Sequence, residues 1–129
     1  MVNRGLLDTS VLIALEQDRA VDRSLLPNEC AVSIITLGEL RLGILAAQDS
    51  DQRTQRLETM VEVLAFDALP VDKAVIANWA SLKVRLRDAG LRMESNDALI
   101  AATAIAHQVP LVTQDRDFLV VPGLEVILV

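Results

Sequence analysis

The chain has 129 residues, 52% hydrophobic and 23% charged, which is one domain's worth of sequence, too apolar for disorder and able to bury a core without disulfide or zinc support. One cysteine (Cys30) and one histidine (His107) exclude an internal disulfide, a cysteine-cluster metal site and any centre built from several imidazoles, and three aromatics (Phe66, Trp79, Phe118) are too few for a base-stacking platform. A net charge of −6 argues against holding nucleic acid by phosphate neutralisation alone, but not against metal-dependent phosphodiester chemistry, whose sites are themselves acidic.

Val2–Leu7 reads as a short buried strand ending at Asp8. Thr9–Glu16 reads as a helix, with Val11, Leu12 and Leu15 on one face. A second short helix is expected near Arg19–Leu25, and Pro27 and Asn28 mark a turn. Cys30–Ile34 is a second strand, followed by a helix from about Leu37 to Ala47. The polar stretch 48–53 carries cap chemistry at Asp49 or Ser50 and opens a helix over Gln52–Val63. Val63–Phe66 reads as a strand. Pro70 and Asp72 open a long helix to Ala89, with Gly90 at its C′ position. Ser95 or Asn96 caps a helix over Asp97–His107. Pro110–Thr113 and Leu124–Leu128 are the last strands. Short apolar strands alternating with helices predict an α/β fold, a mainly parallel five-stranded sheet covered on both faces, in a single domain over 1–129.

No targeting segment stands out. The apolar stretch Gly5–Leu15 is broken by Asp8, and the longest uncharged run, Ala98–Gln114, is short for a membrane span. A soluble cytoplasmic protein without membrane partners is expected. The five glycines are scattered and make no phosphate-binding loop.

Acidic residues recur where strands end. Asp8 follows the first strand. Glu39 falls in the first turn after the second. Asp97 opens a helix, and Asp115 and Asp117 follow Leu111-Val112-Thr113. In an open parallel sheet, ligands bind at the carboxyl ends of the strands. Bare carboxylates about 4 Å apart repel by around 4 kcal/mol at an effective dielectric near 20, so such a cluster calls for a cation or for raised pKa values. An all-oxygen donor set suits Mg²⁺ or Mn²⁺, which also takes phosphate oxygens. That is equipment for metal-assisted phosphodiester hydrolysis.

Each acid also has a local explanation. Asp8 would cap the next helix. Thr36-Leu37-Gly38-Glu39 matches a capping box. Asp97 favours a helix dipole, and Asp115 and Asp117 suit a turn. Together these are a poorer explanation than a shared site. Ser10 and Thr113 have the chemistry to donate to the carboxylates or to phosphate, or to cap locally. Arg85, Arg87 and Arg92, with Lys83, are candidates for phosphate contacts or a solvated helix end. His107 suits a helix end, and Trp79 suits packing.

Four segments, in this order, resemble the PIN-domain family and, within it, the VapC toxins of bacterial VapBC toxin–antitoxin systems. They are Leu6-Leu7-Asp8-Thr9-Ser10, Thr36-Leu37-Gly38-Glu39-Leu40, Asn96-Asp97-Ala98-Leu99-Ile100 and Thr113-Gln114-Asp115-Arg116-Asp117-Phe118. The resemblance implies a three-layer α/β/α fold and a Mg²⁺- or Mn²⁺-dependent endoribonuclease that cuts structured RNA such as tRNA or rRNA. It implies a homodimer and a VapB-type antitoxin partner, with operator DNA bound only through the antitoxin. By position, Asp8, Glu39 and Asp97 match the family's central acids. Asp115 is the fourth ligand and Asp117 its substitute. Glu39 binds the metal, directly or through water, or orients the attacking water. Thr113 orients the cluster, with Ser10 beside it. Two alternatives are a catalytically inactive PIN-like binding or dimerisation module and a receiver-like phosphotransfer domain. The second expects a Lys after a late strand, where Gln114 and Asp115 stand.

Overall fold

Leu6 and Leu7 lie at the centre of the sheet, on strand β1 (Arg4–Leu7). The computed structural model describes residues 3–129. After β1 come α1 (Thr9–Glu16), β2 (Glu29–Ser33), α2 (Ile34–Leu45), α3 (Ser50–Val63) and β3 (Asp67–Leu69). Then follow α4 (Lys73–Asp88), α5 (Ser95–Ala106), β4 (Leu111–Thr113) and β5 (Val126–Leu128). The five strands pair in the order β3-β2-β1-β4-β5, and every pair is parallel.

The pleat divides the core into two layers, because successive side chains point to opposite faces. Leu6 and Leu111 face one way, onto Leu82 and Leu86 of α4, Ile100, Ala101 and Ala104 of α5, and Phe118. Leu7, Val32 and Val112 face the other, onto Val11 and Leu12 of α1, Leu40 of α2 and Val63 of α3. Each fully buried aliphatic or aromatic side chain contributes roughly 1.5–3 kcal/mol of transfer free energy. Helix α5 buries Ala98, Ala101, Ala102 and Ala104, whose small side chains let it press close. This three-layer α/β/α arrangement is the one expected. No helix among the described residues is long and apolar enough to cross a membrane.

Local chemistry sets the element ends. Asp49 and Asp72 cap α3 and α4, accepting from Gln52 and Val75 N–H groups. Gly90 sits at φ 71° after α4. There Leu91 N–H bonds Leu86 C=O and Gly90 N–H bonds Arg87 C=O, a Schellman closure. The same closure follows α5, but with Gln108 at φ 55° in the left-handed position.

Several boundaries differ from expectation. Val2 lies outside the described residues, and β1 begins at Arg4. The segment Arg19–Leu25 forms only a 3₁₀ turn at Arg23–Leu25, capped by Asp22. Helix α2 starts at Ile34 because Ser33 ends β2 and caps with its own hydroxyl, accepting from Ile35 N–H. Val63–Phe66 is not a strand: Val63 ends α3, and the edge strand is Asp67–Leu69. Ser95 and Asn96 lie within α5, which starts at Ser95; its cap position is Glu94, without a side-chain bond. A 3₁₀ turn at Arg116–Val120, unforeseen, brings Phe118 into the core. Trp79 is half-buried on α4, as packing predicts, although its Nε1 is sealed from solvent without a partner.

Candidate active site

From β1 the chain builds β2 and β3 on one side, and only later adds β4 and β5 on the other. The strand order reverses at the carboxyl ends of β1 and β4, where a crevice is expected. Asp8 is fastened there by its own N–H, which bonds Val112 C=O at 2.8 Å.

Asp8 occupies the cap position of α1 yet makes no side-chain cap bond, so the local explanation fails. Instead Asp8, a residue only 4% exposed, turns its carboxylate toward Ser10 and Thr113. Oδ2 accepts from Ser10 Oγ at 2.7 Å and from Thr113 Oγ1 at 2.8 Å. These hydroxyls are themselves aimed. Gln114 N–H donates to Ser10 Oγ at 3.1 Å, and Asp115 N–H donates to Thr113 Oγ1 at 3.0 Å. With lone pairs engaged by the backbone, each hydroxyl has its proton left for Asp8. Oδ1 accepts no bond from the described residues and is not sealed from solvent.

Glu39 lies in the second turn of α2 rather than the first, and the expected capping box with Thr36 does not form, because Ser33 holds the cap. The carboxylate is held from across the crevice. Thr9 Oγ1 lies 2.8 Å from Glu39 Oε1 and 2.9 Å from Thr36 Oγ1. Thr9 has one proton, and an ionised carboxylate is the stronger acceptor. Thr9 therefore donates to Glu39, and the buried Thr36 hydroxyl completes the chain.

Asp97 sits in the first turn of α5, half-buried. Burial, then the charges of Asp8, Glu39 and Asp115, and lastly Glu94, push its carboxyl from the ordinary 3.8 up to about 6. The fold thus brings Asp8, Glu39, Asp97 and Asp115 into electrostatic contact. Asp115 also serves its local role, with Oδ1 accepting from Asp117 N–H at 2.9 Å. Asp117 is exposed, and it shares with Asp97 a cavity of about 510 Å³.

Among the described residues no cation answers this charge. The ion pairs among the described residues are Arg4–Glu29 and Arg87–Asp88, neither in the cluster. The donor set is all oxygen, which suits a hard divalent ion. Among the described residues, no three acidic, His or Cys side chains converge closely enough to grip an ion by themselves. Such an ion would keep several waters, as Mg²⁺ does.

The basic candidates divide. Arg92 borders the cavity beside Asp97. Arg87 pairs with Asp88, and Arg85 lies against Gly123. His107 is exposed at the C-cap of α5, as expected. The sequence did not reveal the parts of Thr9 and Thr36, because both carry ordinary helix-start signals; Arg116, exposed, also borders the cavity beside Asp97.

Residues 5–124 match the PIN domain family. The chain belongs to the PIN-domain family. It is 44% identical over 126 residues to Ribonuclease VapC4 of Mycobacterium tuberculosis, covering 98% of this chain and 97% of that one. It is also 44% identical over 119 residues to Ribonuclease VapC5 of the same organism, covering 92% and 88%. The crystal structure of VapBC-5, a member of the VapBC family of toxin–antitoxin systems from that organism, superposes with a TM-score of 0.90 at 41% identity, covering 98% of both chains. The likeness lies with VapC-type PIN proteins, and the receiver-like alternative falls.

Proposed function

We propose that this chain is a divalent-metal-dependent endoribonuclease, the toxin of a VapBC-type pair, with residues 1–129 forming one PIN domain and structured RNA (tRNA or rRNA) as its substrate. The observation that carries the reading is the uncompensated group of Asp8, Glu39, Asp97 and Asp115 at the β1–β4 crevice, with Asp8 held by two oriented hydroxyls. The ribonuclease names of relatives of near-equal length support it. Asp8, Asp97 and Asp115, partly through waters, with Glu39 directly or through water, would hold Mg²⁺ or Mn²⁺, which would supply charge to activate water and to offset the charge growing on the phosphate. Asp117 is the substitute ligand. The chain's own residues do the positioning. Ser10 and Thr113 occupy Oδ2 of Asp8 and leave Oδ1 for the crevice. Thr9 holds Oε1 of Glu39 and leaves Oε2 to orient the water for in-line attack. The products carry a 5′-phosphate and a 3′-hydroxyl.

A VapB-type antitoxin is the protein partner. The likeness to a VapBC complex supports this, as does an apolar groove between α2 and α3 lined by Leu37, Leu45, Leu57, Met60 and Leu64, of which Leu45, Leu57 and Leu64 are exposed. Operator DNA is reached only through that antitoxin, the chain itself being acidic, and the toxin is a homodimer in the cytoplasm.

The test is cleavage of total bacterial RNA by antitoxin-free protein in Mg²⁺, Mn²⁺ or EDTA, beside Asp8→Asn. Asn keeps an oxygen for the two hydroxyls, so the fold should survive. Discrete fragments that need both metal and Asp8 are expected. Undiminished cleavage by Asp8→Asn refutes the mechanism. No cleavage and no Mn²⁺ binding by folded protein would leave the non-catalytic module.

A further inference from the structure

We propose that the cavity flanked by Arg92 and Arg116 is a nucleotide subsite, seating the RNA residue next to the scissile phosphate; the assignment deepens the nuclease reading and rests on it. The cavity is about 510 Å³, within the range of small-molecule sites and large enough for one nucleotide. Asp97 stands at its edge, so an occupant lies directly beside the acidic crevice.

Its lining divides into two chemistries. Leu91, Met93 and Val120 provide an apolar wall against which a base can lie without hydrogen-bond readout. Arg92 and Arg116 are exposed and border the same space. Neither is in an ion pair, although Glu94 and Asp117 also border the cavity. Neither guanidinium donates a hydrogen bond to another described residue. Two unengaged arginines bordering one space, Arg92 also bordering a neighbouring cavity with Lys83 and Arg87, suit a phosphodiester, whose oxygens accept forked guanidinium N–H groups. An acidic chain can thus recognise RNA locally, without a general positive field.

The probes are the four nucleoside 5′-monophosphates, inorganic phosphate and glutamate, titrated in Mg²⁺ into isotope-labelled protein and followed by amide NMR shifts. Saturable nucleotide shifts are expected at residues 91–94 and 116–120, at millimolar concentration. Arg92→Gln with Arg116→Gln should weaken binding at least tenfold, while Arg53→Gln on α3 changes nothing. The rest of the spectrum reports whether each variant is folded. With RNA, the double variant should raise KM about tenfold and leave kcat within about twofold, the signature of lost ground-state binding. Shifts elsewhere, binding indifferent to both substitutions, or equal shifts from glutamate would overturn the subsite. A chain that cuts RNA with unchanged KM after both substitutions loses the subsite and keeps the nuclease. One that binds nucleotide here yet cuts no RNA loses the nuclease reading.

Discussion

Asp97→Asn should make the metal-free protein more stable at neutral pH, although it removes a proposed metal ligand. Asp97 is pushed from 3.8 up to about 6 by burial and by Asp8, Glu39 and Asp115. The folded state therefore holds the proton more tightly than the unfolded chain does. The stability this confers is fully present below about 3.8 and is lost as pH rises through about 6. At about 1.4 kcal/mol per pH unit, the unscreened penalty at pH 8 is roughly 3 kcal/mol. Asp97 is only half-buried, and solvent screening reduces this to about 1 kcal/mol. For a chain of this size that is a gain of roughly 3–5 °C in Tm. The assay is thermal unfolding in EDTA at pH 4 and pH 8, for wild type and variant. Wild type should lose stability between these values relative to the variant, and the variant should be the more stable at pH 8. On the proposed metal reading, adding Mn²⁺ should reverse the order, the ion binding the folded wild type more tightly than the variant. A variant less stable than wild type in EDTA at pH 8 would refute the electrostatic account of the cluster.

Thr9→Val should lower kcat about tenfold with KM little changed, and Thr9→Ser should restore it. In a double-mutant cycle with Glu39→Gln the two losses should not add; full additivity would show that Thr9 does not act through Glu39. Thr113→Val removes a buried donor to Asp8 and an acceptor for Asp115 N–H. It should cost about 2 kcal/mol in denaturant unfolding and reduce cleavage at least tenfold; an unchanged midpoint would contradict the network. Gln108→Gly should stabilise by about 0.5–1 kcal/mol, because Gln108 is held at φ 55° where glycine is unstrained. A lower Tm would show that its side chain contributes something the backbone argument omits.

Helix α1 was legible to the residue, since Asp8 and the Val11–Leu12–Leu15 face mark it sharply. The run Val63–Phe66 misled because an apolar helix end resembles a strand. The strand that replaces it, Asp67–Leu69, lies at the sheet edge, where Asp67 and Ala68 need no burial. The left-handed residues Asp18 and Gln108 carry no glycine signal. At the site, positions after strands were legible because parallel topology sends them to one edge. What escaped was hydroxyl chemistry across long separations. Thr9 and Thr36 are 27 positions apart, and each carries only the signature of its own helix start. Thr36 and Glu39 matched a capping box, but Ser33 competes for that role and wins because the strand ends there.

The link between Asp8 and Thr113 spans 105 positions. Its consequence lies in synthesis. Strands β1, β2 and β3 are made early and pair on one side, but the other flank of β1 stays open until β4 is added. Contacts so distant in sequence are slow to form, because closing the intervening loop costs entropy first. A nascent chain therefore carries Asp8 and Glu39 long before Thr113 can hold Asp8 from across the sheet, with Asp97 following only sixteen positions ahead of Thr113. On the proposed nuclease reading, cutting power waits for a strand of three residues, Leu111–Thr113, and for Asp115 just beyond it. Chains ending before that strand should be harmless, whatever acids they contain.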